Sequence, residues 1–108
     1  MYCKIVESKT FKHTFLHDMC GYGNGYVIVD VNHHLYNIPY NNVISNYVID
    51  VHGGLTYSRR VSNGWSFGFD TAHYADNLIN WPKEKVIEET LRLYAQLFDI
   101  ELGTLAHI

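Results

Sequence analysis

Gly64-Trp-Ser-Phe-Gly-Phe-Asp70 alternates large aromatic side chains with small or polar ones, and upstream of it runs Tyr47-Val-Ile-Asp-Val-His-Gly-Gly-Leu-Thr-Tyr-Ser58. A strand sends successive side chains to opposite faces, so residues two apart share a face and stand roughly 6.5–7 Å from each other. On that pattern Trp65, Phe67 and Phe69 form one face, which reads as core, with Ser66, Gly68 and Asp70 opposite. In the upstream run Tyr47, Ile49 and Val51 take one side, while Val48, Asp50 and His52 take the other. The link Ser58-Arg-Arg-Val-Ser-Asn-Gly64 ends in Asn-Gly, a strong turn dipeptide, so the two segments are expected to pair as a hairpin.

Outward from this pair, residues 3–7 predict a short first strand, whereas residues 11–20 show no clean periodicity and predict no defined element. Gly21-Tyr-Gly-Asn-Gly25 reads as a turn or close-approach loop leading into the β-branched run Tyr26-Val-Ile-Val-Asp-Val31, a central strand. These glycines precede a strand, while a dinucleotide loop needs them after a strand and opening a helix, so a phosphate loop is not indicated. Residues 32–46 form a polar, Asn-rich connection. Beyond the hairpin, Pro82 suits a first helical turn and Asn80 is a candidate cap. Val86, Ile87, Leu91, Tyr94, Leu97 and Phe98 then recur at helical spacing, and Gly103 is a natural stop. The expected architecture is one α+β domain over residues 1–108: a small antiparallel β-sheet with a C-terminal amphipathic helix packed on one face.

Composition agrees with a folded chain. Of the 108 residues 47% are hydrophobic, and nine Tyr, five Phe and two Trp supply bulk for one core without disulfide staples. The net charge of −3 counts against a basic nucleic-acid-binding patch, with no direct DNA binding expected, and equally against a DNA mimic. Only two cysteines occur, with no C-x-x-C spacing, no apolar run near 18 residues and no signal-like segment. Those features lead us to expect a cytoplasmic protein without membrane association.

The chemistry-bearing residues gather in two segments. If the expected hairpin forms, Asp50, His52 and Asp70 converge, with His73 and Asp76 just beyond. His and Asp suit zinc, manganese or iron, and a catalytic site needs about three protein ligands with one open position. Asp50, His52, Asp70, His73 and Asp76 are therefore the candidate ligands of a divalent metal. Without a metal, His52 beside Asp50 or Asp70, or His73 beside Asp76, would make an acid–base pair. His52, His73 and Asp70 are the candidate catalytic groups on either route. No serine lies in a nucleophile-elbow context, which counts against a Ser-His-Asp hydrolase.

A third chemistry is ligand binding alone. Gly53 and Gly54 leave backbone N–H groups open beside Asp50 and His52. Tyr57 and Tyr74 offer stacking surfaces, Arg59 and Arg60 offer phosphate contacts, and His33 and His34 are placed to close over a pocket. Each feature also has a plain structural explanation. Asp70 can cap a turn, Gly53-Gly54 can be a turn, and Arg59-Arg60 can be a solvated link.

The segments Asp50-Val-His-Gly-Gly-Leu-Thr-Tyr-Ser58 and Gly68-Phe-Asp-Thr-Ala-His-Tyr-Ala-Asp76 resemble a family of small bacteriophage and prophage proteins. Its members share a VHGGLTYS segment, a W-x-GFD-x-AH-x-x-D segment and an amphipathic C-terminal helix. The resemblance covers roughly residues 25–98. It departs after the first strand, where members tend to carry a His-Pro-type turn and this chain has Asn32-His-His-Leu-Tyr36. It implies a bacteriophage setting and no particular activity. In that setting three functions are expected of this chain. It sequesters a small nucleotide-derived signalling ligand, cleaves one as a metal-dependent phosphodiesterase, or inhibits a bacterial defence protein by direct contact. Small sheet proteins often pair through an edge strand or helix, but the sequence leaves open whether this chain forms a homo-oligomer.

Overall fold

A computed structural model describes residues 1–8 and 20–103. The expected α+β architecture is present. Four strands, β1 (Tyr2–Glu7), β2 (Gly23–Val29), β3 (Tyr57–Val61) and β4 (Gly64–Phe69), form one antiparallel sheet in the order β1-β2-β4-β3. A short helix α1 (Tyr40–Asn46) precedes β3, and the long helix α2 (Lys83–Leu102) lies across β1 and β2. Residues 11–19 of the stretch without periodicity fall outside the described residues. Among the described residues no helix is long and apolar enough to cross a membrane.

The core follows from strand alternation. Val27 and Val29 of β2 and Phe67 and Phe69 of β4 are buried against Val86, Leu93, Leu97 and Ile100 of α2. Phe67 and Phe69 were expected there, and Trp65 joins them half-buried, its indole N–H donated to the Ile38 carbonyl. The buried line on α2 is rotated from the expected one: Ile87, Leu91 and Phe98 are exposed, while Leu93 and Ile100 are inside. Two polar residues share the buried line because each is satisfied there, Thr90 by the Val86 carbonyl and Glu89 by partners described below. Gly103 ends α2 in the left-handed region as expected. Pro82, not Asn80, occupies the N-cap, and the Asn80 N–H is already taken by the Asn77 side chain.

Two expected elements are corrected. Residues 40–46 of the polar connection are helix α1, anchored by buried Val43. The strand expected over Tyr47–His52 does not form, and the hairpin partner of β4 is Tyr57–Val61, joined through Ser62-Asn63. The alternation was nonetheless real: Tyr47, Ile49 and Val51 face the core while Val48 is exposed. What differs is the hydrogen-bond partner. Gln96 of α2 accepts the Asp50 N–H and donates to the Asp50 carbonyl, and Glu89 accepts the His52 N–H. Residues 47–52 are thus an extended strap tied to helix side chains, which satisfy the backbone groups a neighbouring strand would otherwise take.

Candidate functional site: a His–Asp–His cluster

The strap ends in a tight turn at Val51–Gly54, closed by the Gly54 N–H on the Val51 carbonyl. Gly53 and Gly54 both lie in the left-handed region (φ 68° and 78°), which glycine enters without a Cβ penalty. The turn delivers His52 to the segment that follows β4. There Asp70 accepts the Ala72 N–H and the Thr56 hydroxyl, and the chain bends so that Asp76 comes back beneath His73. This region is pinned to the sheet by Thr71, whose hydroxyl donates to the Gly23 carbonyl and whose own carbonyl takes the Gly21 N–H.

Asp76 is the centre of the cluster and is 5% exposed. The His52 Nε2 stands 2.9 and 3.0 Å from its two carboxylate oxygens. Its Oδ2 also takes the His73 backbone N–H at 2.8 Å and lies 3.3 Å from His73 Nδ1. Asp70 Oδ1 completes the rim, 3.4 Å from the same His73 nitrogen. Burial alone would raise the Asp76 carboxyl. The hydrogen bond from His52, the His73 backbone N–H, the nearby His52 charge and the His73 ring outweigh it and hold the group below the usual carboxylate range.

The walls are aromatic and fix both rings. His52 lies 4.1 Å from Trp81 at a 31° tilt and meets His73 edge-on at 5.2 Å. The Lys85 ammonium sits over the Trp81 ring, 5.3 Å from its centroid. His73 packs directly on the bare backbone of Gly53, where any Cβ would run into its ring. His73 and Asp70 remain about one-third exposed and His52 about one-quarter, so the cluster opens to solvent on one side.

The structure brings together His52, His73, Asp70, Asp76 and Gly53, and disperses the other candidates. Asp50 turns to α2, where its carboxylate pairs with Arg92 at 2.6 Å. Because residues 47–52 are a strap and not a strand, Asp50 and His52 do not share a site, and Asp50 is removed from the ligand set. Gly54 faces open space, and Tyr74 is fully exposed just outside the cluster. Tyr57 and Arg59 project from the sheet face away from α2, and Arg60 donates to the Asn37 side chain. His33 is buried structural material: its Nε2–H caps the Leu97 carbonyl and its Nδ1 accepts the Leu35 N–H. His34 lies beside Glu101, which also accepts its backbone N–H. Neither histidine closes over the His52 cluster.

Three contributors were missed from sequence. Trp81 looked like the residue before a helix-starting proline, and nothing local indicated that it would stack on His52. Glu89 lies among the charged residues of α2 in sequence, yet it is buried, holding the His52 N–H through one oxygen and Arg92 through the other. Cys20 is buried near enough to Asp76 that burial and that carboxylate's charge both raise its thiol pKa.

No family model, curated protein or solved structure matches the chain. The site is therefore read from its own geometry. One atom each from His52, His73 and Asp76 lies within 4.8 Å of the others, a donor set of two imidazoles and one carboxylate. A tetrahedral ion with ligand bonds of ~2.0–2.1 Å needs donors ~3.3 Å apart. The His–Asp separations of 2.9–3.3 Å are close to that edge.

Proposed function

We propose that His52, His73 and Asp76 hold a divalent transition metal and that the protein is a small metal-dependent phosphodiesterase. The observation that carries this reading is the convergence of two imidazoles on one buried carboxylate with the fourth side open. Three protein ligands and an open position are the donor count of a catalytic zinc site, where bound water becomes a nucleophile near neutral pH. Asp70, beside His73 at the rim, would orient or deprotonate that water. The second carboxylate also favours the metal over direct phosphate capture, since Asp70 and Asp76 repel a phosphate unless a cation masks them. The sequestration reading loses its assembled pocket, because Tyr57, Arg59, Arg60 and His33 all lie elsewhere. In the bacteriophage setting implied by the sequence resemblance, the substrate is a nucleotide-derived signal in the host cytoplasm.

The test is hydrolysis of bis(p-nitrophenyl) phosphate by the full chain with Zn2+ or Mn2+ added. Turnover that is lost in His73→Ala and in metal-free protein supports the proposal. Metal-independent turnover, or turnover unchanged in His73→Ala, refutes it. One observation favours a second reading, in which the cluster is a clamp joining the strap to the β4–α2 connection. The Asp76 oxygens take donors from the His52 ring, the His73 backbone and the His73 ring, which is enough to satisfy a buried carboxylate. The clamp predicts no metal binding and no turnover, with function on another surface such as a contact with a host defence protein.

A further inference from the structure

The sheet face opposite α2 has a composition unlike the rest of this acidic chain. Cross-strand register sets out its rows. Lys4, Tyr26, Gly68 and Tyr57 lie side by side across β1, β2, β4 and β3, and Tyr2, Ile28, Ser66 and Arg59 form the next row. Val6, Asn24, Gly64 and Val61 complete the strand positions, so none of them is Asp or Glu. Lys4 and Arg59 are exposed, stand at opposite edges, and pair with no carboxylate among the described residues. Three strand spacings and a two-residue offset along the strand separate them, about 16 Å.

The aromatic groups are arranged as surfaces. Gly68 leaves room for the Tyr26 ring to lie over β4, since a Cβ at that position would fall 2.6 Å from the ring. Tyr57 meets Tyr26 edge-on at 5.1 Å. Tyr2, 44% exposed, is steadied by its hydroxyl on the Asn63 side chain. Between them runs a groove of about 280 Å³, floored by buried Ile28 and Ser66.

We propose that this face binds single-stranded nucleic acid, with bases stacked on Tyr26, Tyr57 and Tyr2 and phosphates held by Lys4 and Arg59. Stacking accepts every base because every base has a π-face, and a cation at each edge suits a backbone that crosses the sheet. Charge selects the occupant: two cations without a carboxylate partner among the described residues, and strand positions free of Asp and Glu, suit a polyanion with aromatic groups, in a chain whose net charge is −3. With only two phosphate contacts the binding is modest, which is why the overall charge did not reveal it. The proposal stands apart from the metal centre and does not need it.

The experiment is fluorescence anisotropy of the full chain with a fluorescein-labelled eight-nucleotide oligouridine, over a range of salt concentrations. Two phosphate contacts predict that log K falls with log[salt] at a slope of about −1.4, and that Lys4→Gln or Arg59→Gln each reduces it by about 0.7. Tyr57→Ala is expected to weaken binding roughly 5- to 150-fold, the loss of one base–aromatic stack. Lys4 and Arg59 are exposed, so their variants keep the fold if Tyr57→Ala does not. Absence of binding at low salt overturns the proposal, as does a slope unchanged in both charge variants. Equal affinity for a duplex, or full displacement by uridine monophosphate at equal nucleotide concentration, overturns it too.

Discussion

Gly53 and Gly54 provide a matched pair of substitutions. Both have φ near +70°, so alanine at either position incurs the same backbone cost, about 1–2 kcal/mol for an L-residue in the left-handed region. Their surroundings differ. A Cβ on Gly54 meets open space, whereas one on Gly53 runs into the His73 ring. Gly54→Ala therefore reports backbone strain alone, and in a domain of this size it lowers Tm by roughly 4–12 °C. Gly53→Ala adds displacement of His73 and loss of its ring contact with Asp76, which adds about 1 kcal/mol for a partly exposed charge-assisted bond. The assay is thermal unfolding of both variants by circular dichroism, followed by Zn2+ titration of each. Gly53→Ala is expected to unfold at the lower temperature and to lose at least tenfold in Zn2+ affinity, while Gly54→Ala keeps its affinity. Equal Tm and equal affinity in the two variants would refute the packing of His73 on Gly53.

Other expectations follow from the same contacts. The Asp76 carboxyl is held below its ordinary value, so its stabilisation is present above the unfolded-state value of about 3.9 and is lost as pH falls through the lower folded-state value. Asp76→Asn should therefore destabilise the protein at pH 7 by about 2–3 kcal/mol and flatten the dependence of stability on pH below about pH 4, as read by urea unfolding. Phe67→Ala empties a fully buried site between sheet and helix and should cost about 3–5 kcal/mol in the same measurement. His33→Ala leaves the Leu97 carbonyl without its imidazole donor and the Leu35 N–H without its acceptor, for about 2–3 kcal/mol, with metal binding unchanged.

Much of the fold was legible because its signals are local. The aromatic alternation of Gly64–Phe69, the β-branched run after Gly25, and the apolar period ending at Gly103 each report on a single element. The strap over residues 47–52 shows the limit. Its alternation correctly divided core-facing from outward residues, but alternation does not say what bonds the backbone, and here helix side chains Gln96 and Glu89 replace a strand. That substitution sends Asp50 to Arg92 and leaves His52 alone to enter the cluster. His73 and Asp76 were legible from spacing, since three residues apart in a turn brings an imidazole over a carboxylate. Trp81, Glu89 and Cys20 were not, because each reaches the cluster across long sequence separations that no periodicity encodes. His33 looked like a site residue because an exposed and a buried imidazole are indistinguishable in a polar loop sequence.

The central claim is that His52, His73 and Asp76 form a metal site, and isothermal titration of the full chain with Zn2+ after chelator treatment tests it most directly. The account predicts one ion per chain, with binding lost in His52→Ala and in Asp76→Asn while the circular dichroism spectrum of at least one variant matches the wild type. No heat of binding from correctly folded wild-type protein, or one ion bound equally by all three proteins, would contradict it.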